Sequence, residues 1–232
     1  MSAARLYVEE DLGPGAAVAL TPERAHYLLH VLRLGVGDGV LVFNGRDGEW
    51  GARVENARKR QCNLVIDDLR RPQTRSPDLW LLFAPLKRHA IDLLAQKATE
   101  LGVSRLVPVE TERTHVGRVN GERLGLIAIE AAEQCERLDV PDVAPLRSLY
   151  DVLGAWPSER QLIACVEPGG GRQVVRPIGQ ALAGLAFGPA ALLVGPEGGF
   201  TARELDGLGK LPSVTPVRLG PRFLRAETAA LA

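Results

Sequence analysis

Two glycine-bearing bends near the carboxyl end of the sequence carry the residues best suited to chemistry. In the first, the apolar run from Ala190 to Val194 stops at Gly195-Pro196, passes Glu197, Gly198, Gly199 and Phe200, and leads into Thr201-Ala202-Arg203-Glu204. A Thr-x-x-Glu of this kind is a capping box: the hydroxyl accepts from the amide three residues on while the glutamate reaches back, so a helix is expected to start there. In the second, the strand-like stretch from Val214 to Leu219 breaks at Gly220-Pro221, and Ala226 to Leu231 then has helix-forming composition. Glycine lets the main chain approach a ligand closely and adopt positive φ, so two such strand ends suit a ligand recognised by backbone groups. Two ordinary strand-to-helix turns would leave the same pattern, because Gly-Pro is common punctuation.

Other reactive residue types point to less. Cys62, Cys135 and Cys165 are far apart and odd in number, with no Cys-x-x-Cys. That argues against a disulfide framework and a zinc site, and favours small buried thiols. His26 and His30 have metal-ligand spacing, but no intervening glutamate or clear third ligand accompanies them, so structural or RNA-facing histidines are expected and no metal. Gly35, Gly37 and Gly39 precede a strand instead of joining a strand to a helix, which excludes a dinucleotide fingerprint. The 28 basic and 28 acidic residues balance, so nucleic-acid binding must come from local patches such as Arg58-Lys59-Arg60, Arg70-Arg71 with Arg75, and Lys87-Arg88-His89. Each would equally serve as a solvated face. No apolar run approaches the roughly 18 residues of a membrane helix, and acidic residues at once follow the first eight, unlike a signal peptide; a cytoplasmic protein is expected.

The elements that position the two bends follow from periodicity. Arg5 to Val8 reads as a strand, and Thr21-Pro22-Glu23 as a helix start that places Tyr27, Leu28, Val31 and Leu32 on or near one face and ends near Gly35. Short strands at 40–43, 50–54 and 62–66, separated by Asp-Gly and Asn-Gly turns, indicate hairpins of a small antiparallel barrel. The polar, proline-punctuated segment 70–77 reads as a linker. Beyond it strands and helices alternate: a strand at 79–84; a helix with Ile91, Leu94, Ala95, Ala98 and Leu101 on one stripe, closed by Gly102; a strand at 105–109. A second helix carries Leu124, Ile127, Ala128, Ala131, Cys135 and Leu138, and a strand at 162–166 ends at Glu167-Pro168-Gly169. Alternation of this kind implies a parallel α/β sheet with ligand loops at the carboxyl strand ends, including Glu167, Gly195 and Gly220.

Four ordered motifs add a resemblance. Gly195-Pro196-Glu197-Gly198-Gly199-Phe200, the run Leu-Gly-Pro-Arg-Phe-Leu-Arg-Ala-Glu-Thr-Ala at 219–229, Gln-Lys-Ala-Thr-Glu-Leu-Gly-Val at 96–103, and Glu-Ala-Ala-Glu-Gln-Cys-Glu-Arg at 130–137 with Val140-Pro141 after it resemble the SPOUT methyltransferases. The match is most similar to the RsmE family of 16S ribosomal RNA uracil-N3 methyltransferases and runs over nearly the whole chain. It implies a PUA-like RNA-binding barrel at 1–72 and a SPOUT domain with a deep trefoil knot at 73–232, working as a homodimer on 16S ribosomal RNA or the small subunit, with S-adenosylmethionine as cofactor.

On that resemblance, Leu193, Val194, Gly195, Pro196, Glu197, Gly198, Gly199, Leu219, Gly220, Leu224 and Ala226 are the expected cofactor-binding residues. Glu197 would equally cap its turn. Arg222 and Arg225 are the expected anion stabilisers at the acceptor, and Glu227 is expected to orient an arginine or accept a proton. His30, Arg33, Arg46, Arg113 and Arg137 are the candidate RNA contacts, whereas Glu100 and Gln134 suit structural networks. The sequence departs from the family's commoner pattern at Phe223 and Ala226, where an aliphatic residue and a threonine or serine are more usual, and it ends at Ala232 inside the expected last helix. A non-enzymatic RNA-binding ribosome assembly factor that kept the fold is the alternative, and it would bind no cofactor.

Overall fold

The computed structural model describes residues 4–58, 61–166, 175–183 and 188–232. The chain divides into two compact units. The first takes in residues 1–75 together with 132–140, a short segment that the sequence pattern assigns to the second domain. The second comprises residues 76–131 and 141–232.

In the first unit β1 (Ala4–Tyr7), β2 (Ala17–Ala19), β3 (Gly39–Phe43), β4 (Glu49–Arg58) and β5 (Gln61–Arg71) form one sheet of order β1-β3-β4-β5-β2. The β3-β4-β5 meander is antiparallel, the β3-β4 hairpin turning at the predicted Asn44-Gly45 and Asp47-Gly48, but β1 runs parallel to β3. β4 and β5 are longer than their hydrophobic cores suggest. β5 continues through Arg70 and Arg71, placed in the linker by sequence, because Arg71 pairs in register with Glu49 and bonds to its carboxylate at 2.7 Å. Burial raises the Glu49 pKa, and the bonds from Arg71 and Arg5 more than offset it, so this carboxyl lies below its ordinary range. Arg5 also donates to the carbonyls of Ala132 and Arg137, both at 2.6 Å, which fastens residues 132–140 to β1.

Thr21 caps α1 (Pro22–His26), its hydroxyl accepting from Arg24 N, but the helix then widens into a π-helical turn at Tyr27–Val31 and ends at Arg33 with φ of 59°. One extra residue per turn rotates the following side chains off the predicted stripe. Leu28 is buried, while Tyr27, Val31 and Leu32 are exposed.

The second unit is a sheet of order β11-β13-β10-β12-β6-β7-β8, parallel at every pairing, with β9 also on β7. Its elements run β6 (Leu79–Phe83), α2 (Arg88–Glu100), β7 (Arg105–Glu110), α3 (Gly121–Gln134), β8 (Asp142–Val143), β9 (Arg147–Ser148), α4 (Leu149–Gly154), β10 (Gln161–Cys165), β11 (Arg176–Pro177), α5 (Ile178–Leu182), β12 (Ala190–Val194), α6 (Ala202–Leu208), β13 (Val214–Arg218) and α7 (Ala226–Leu231). Strand alternation sends Leu81, Phe83 and Leu106 to one face, where they meet Leu94, Ala98, Leu124 and Ala230 of α2, α3 and α7. Leu82 and Val107 turn to the other face, with Leu149, Leu153 and Leu208 of α4 and α6. Each fully buried leucine contributes about 1.5–3 kcal/mol of apolar burial. The predicted α2 stripe is buried except at its last member, Leu101. That residue caps the helix and is exposed, because the chain turns through Gly102 (φ of 90°) in a Schellman closure with Val103 N donating to Ala98 O.

Cys62 is buried and Cys165 half-buried, but Cys135 is exposed at the end of α3, against the expectation of three interior thiols. Among the described residues no group of histidine, cysteine or carboxylate side chains could hold a metal, and no helix is long and apolar enough to cross a membrane.

Candidate functional site

The sheet order brings the two bends together. β10 lies between β12 and β13, and all three run the same way, so their carboxyl ends are adjacent. A crevice of about 890 Å³ opens there, within the second unit. That is the size range of small-molecule sites. Val194, Gly195, Pro196, Glu197, Gly198 and Gly199 line one side; Leu219, Gly220, Arg222, Leu224, Arg225 and Ala226 line the other.

The first bend is held from within. Gly199 N donates to Pro196 O at 2.9 Å and has φ of 66°, closing a turn that only glycine adopts freely. The Phe200 ring folds back over Gly195, where an added Cβ would lie 2.8 Å from it. The capping box is present as predicted: Thr201 Oγ1 accepts from Glu204 N, and Glu204 Oε2 accepts from Thr201 N at 2.8 Å. Glu204 has a second role. It is 1% exposed, and its Oε1 accepts from the amide of Glu112 at 2.8 Å, which fixes the loop after β7. In that loop Arg113 donates from Nη1 to Gly198 O at 2.7 Å, so this arginine, expected to contact RNA, braces the first bend and lines the crevice. Tyr150 donates its hydroxyl to the carboxylate of Glu112, and that bond, first among the causes, holds the Glu112 pKa below the usual range.

The second bend turns through Gly220 at φ of 141°. After it the chain alternates: Phe223 and Arg225 are exposed, Leu224 is half-buried and Ala226 is buried at the start of α7. Arg222 is exposed as well. Neither Arg222 nor Arg225 has an ion pair among the described residues.

Two of the expected cofactor and acceptor residues do not line the crevice. Leu193 is wholly buried behind the wall, packed with Leu82 and Ala191, because strand alternation points it to the opposite face from Leu192 and Val194's neighbours across the sheet. Glu227 sits in the first turn of α7, outside the lining. Glu167 lies outside the described residues. In the first unit, His30 and Arg33 are exposed beside the π-helical turn, and Arg46 is exposed with its guanidinium on Asp11 at 2.9 Å. Arg137 departs from the expected RNA contact: its side chain is 7% exposed and bonded to Asp139 at 2.8 Å, so it stabilises the protein interior. The rings of His26 and His30 lie against each other, tilted by 39°, with centroids 4.8 Å apart. Glu100 is likewise local, bonded to Lys97 at 2.9 Å on the surface of α2.

Sequence reasoning missed Cys165 and Val166 at the end of β10, Leu205 of α6, and Arg218 at the end of β13, all of which line the crevice. Burial pushes the Cys165 thiol up to about 12, so it is a neutral wall and not a nucleophile. The Nε of Arg218 is buried with no hydrogen-bond partner. A buried, unmatched donor at the wall of a crevice is suited to an anionic or carbonyl oxygen of a ligand. For Cys165 and Val166 the sequence offered only the strand pattern that ends at Glu167; the position of β10 between β12 and β13 became visible in the sheet order.

Comparison with known proteins agrees with this architecture. The RNA methyltransferase domain family matches residues 74–232, and the RNA methyltransferase PUA domain matches residues 20–67. The ribosomal RNA small subunit methyltransferase E of Rickettsia conorii is 33% identical over 98% of this chain and 91% of its own length. A solved structure of the enzyme of that name from Neisseria gonorrhoeae, bound to S-adenosyl methionine, has a TM-score of 0.86 at 30% identity, covering 99% of this chain and 94% of that one. A putative methyltransferase from Legionella pneumophila, also in complex with that cofactor, has a TM-score of 0.83 at 29% identity over 100% of this chain and 95% of the other. An α/β unit with a crevice at adjoining parallel strand ends, a PUA domain before it, and full-length similarity to these enzymes make the chain a member of the RNA methyltransferase family that includes ribosomal RNA small subunit methyltransferase E.

Proposed function

We propose that the protein methylates N3 of a uridine in 16S ribosomal RNA of the small ribosomal subunit, with S-adenosylmethionine as donor. The observation that carries this is the crevice at the ends of β10, β12 and β13, glycine-lined on both sides, in a chain whose full-length relatives are named ribosomal RNA small subunit methyltransferase E or were solved with S-adenosyl methionine.

The residues present fit the cofactor. The crevice is large enough, both glycine bends present main chain along its walls, and the unmatched Nε of Arg218 offers a donor. Val194 to Gly199, Leu219, Gly220, Leu224 and Ala226 would hold it, through backbone groups and apolar walls, and Leu193 backs that wall from the core. When bound, the cofactor supplies an activated methyl group on a sulfonium, so the protein's task is orientation and electrostatics.

N3 of uracil lies on the pairing edge and carries a proton, so the base must be unpaired, and its anion must be favoured. Arg222 and Arg225, exposed at the crevice mouth without acid partners among the described residues, stabilise the charge spread over N3 and the flanking carbonyl oxygens. Glu227, in the first turn of α7 just after Arg225, orients one of these arginines or accepts the N3 proton. His30, Arg33 and Arg46 are the RNA contacts of the PUA domain. The working form on this proposal is a homodimer in the cytoplasm, with the family's trefoil thread at its carboxyl end.

The test is to incubate the protein with labelled donor and small subunits lacking the modification, then identify the product nucleoside. Labelled 3-methyluridine is expected. Methyl on a ribose would overturn the assignment, and a calorimetric titration without heat on adding S-adenosylmethionine would favour a non-enzymatic assembly factor.

A further inference from the structure

Among the described residues Phe223 is the most exposed of the large apolar side chains, at 79%, yet it belongs to the crevice lining. A lone exposed apolar residue needs no explanation. Its setting does. Phe43 and Phe83 are buried in the cores and Phe200 covers Gly195, so each has a packing role that Phe223 lacks. The alternation after Gly220 turns Leu224 and Ala226 toward the crevice wall and the core, and leaves Arg222, Phe223 and Arg225 outward at the mouth. An aromatic face between two guanidiniums without acid partners has the chemistry of a single-stranded RNA platform: the ring takes the π-face of a base, and the cations meet the negative charge around it.

We infer that Phe223 is a substrate-binding residue, the stacking platform that receives the unpaired acceptor base at the crevice mouth. This rests on the RNA substrate proposed above. A base taken out of its helix loses its stacking neighbours, and an aromatic ring on the enzyme replaces one of them. An aliphatic side chain at the same position would offer apolar contact but no π-face.

The test compares wild type with Phe223→Ala, Phe223→Leu and Phe223→Trp, using small subunits lacking the modification, labelled donor, and calorimetry with S-adenosylmethionine alone. Because the side chain is so exposed, all four proteins are expected to melt together. Stacking predicts that both Phe223→Ala and Phe223→Leu lower kcat/KM for the subunit by about 5- to 100-fold. Phe223→Trp restores it, and cofactor affinity is the same in all four. Wild-type kinetics in Phe223→Leu would overturn the inference in favour of a merely apolar rim. Cofactor affinity falling in step with kcat/KM would overturn it in favour of a cofactor wall. If wild type binds the cofactor but methylates no uridine, the substrate assignment itself falls and the stacking role with it.

Discussion

The two ends of the parallel sheet use arginine in opposite ways. At the amino ends of the strands, Arg160 grips Asp78 with two bonds, at 3.0 and 2.7 Å, and lies 3.7 Å over the Trp80 ring. Arg105 covers the same ring at 4.8 Å and pairs with Asp142 at 3.0 Å, while Trp156 meets Trp80 edge-on. At the carboxyl ends, Arg218, Arg222 and Arg225 have no acid partner among the described residues, and the strands end in glycine instead of tryptophan. A guanidinium already paired with a carboxylate adds stability, whereas one without an acid partner keeps its charge available to an incoming anion. The difference separates an end whose arginines are paired within the fold from an end whose arginines are open to the proposed ligand.

Substitutions at the two ends should therefore fail in different assays. Removing charge from the ligand end is expected to have the largest effect: Arg222→Ala and Arg225→Ala each lower kcat by about 100-fold, the scale of losing one transition-state donor, with the melting temperature unchanged. A fall in melting temperature instead would show these arginines to be structural, like those at the other end. Gly195→Val must displace the Phe200 ring, since even a Cβ would lie 2.8 Å from it. Calorimetry is expected to show S-adenosylmethionine binding weakened about 100-fold, or about 2.7 kcal/mol. At the stabilising end, Arg160→Met removes the partner of Asp78 and the cation over Trp80. Because the Asp78 side chain is half exposed, the loss is about 2 kcal/mol, seen as a melting temperature lower by about 4–8 °C with kcat for methylation retained.

The smallest effect sharpens the same contrast through pH. The bond from Arg160 holds the Asp78 carboxyl below its ordinary pKa. A carboxyl lowered in the folded state contributes stability above its unfolded pKa and loses it as pH falls through the folded value. The gap in melting temperature between wild type and Arg160→Met is thus expected to stay level from about pH 8 to 5 and to narrow below about pH 4. A gap that widened on acidification would assign the stabilisation to contacts other than this ion pair.

Much of this was legible in local sequence. The capping box of Thr201 and Glu204, the Gly102 closure of α2 and the strand ends at Gly195 and Gly220 depend on neighbours a few residues away, and residue type and spacing encode such geometry. What escaped depends on partners distant in the chain. Nothing near Glu204 announces that its second oxygen serves Glu112, and nothing near Cys165 says that β10 will lie between β12 and β13. Arg137 looks like any basic residue at a helix end until Asp139 and the first unit enclose it. The π-helical turn after His26 shows the remaining limit: composition and spacing do not mark the widened turn that leaves Tyr27, Val31 and Leu32 exposed.

The carboxylate of Glu204 joins two backbone segments 92 residues apart in sequence, the loop after β7 and the start of α6. An amide proton held by a buried acceptor exchanges with solvent only when that acceptor lets go. The protons of Glu112 and Thr201 are therefore expected to exchange with deuterium at a common rate, slower than neighbouring loop amides, even before any ligand arrives. The brace behind the first bend is thus expected to open as one piece.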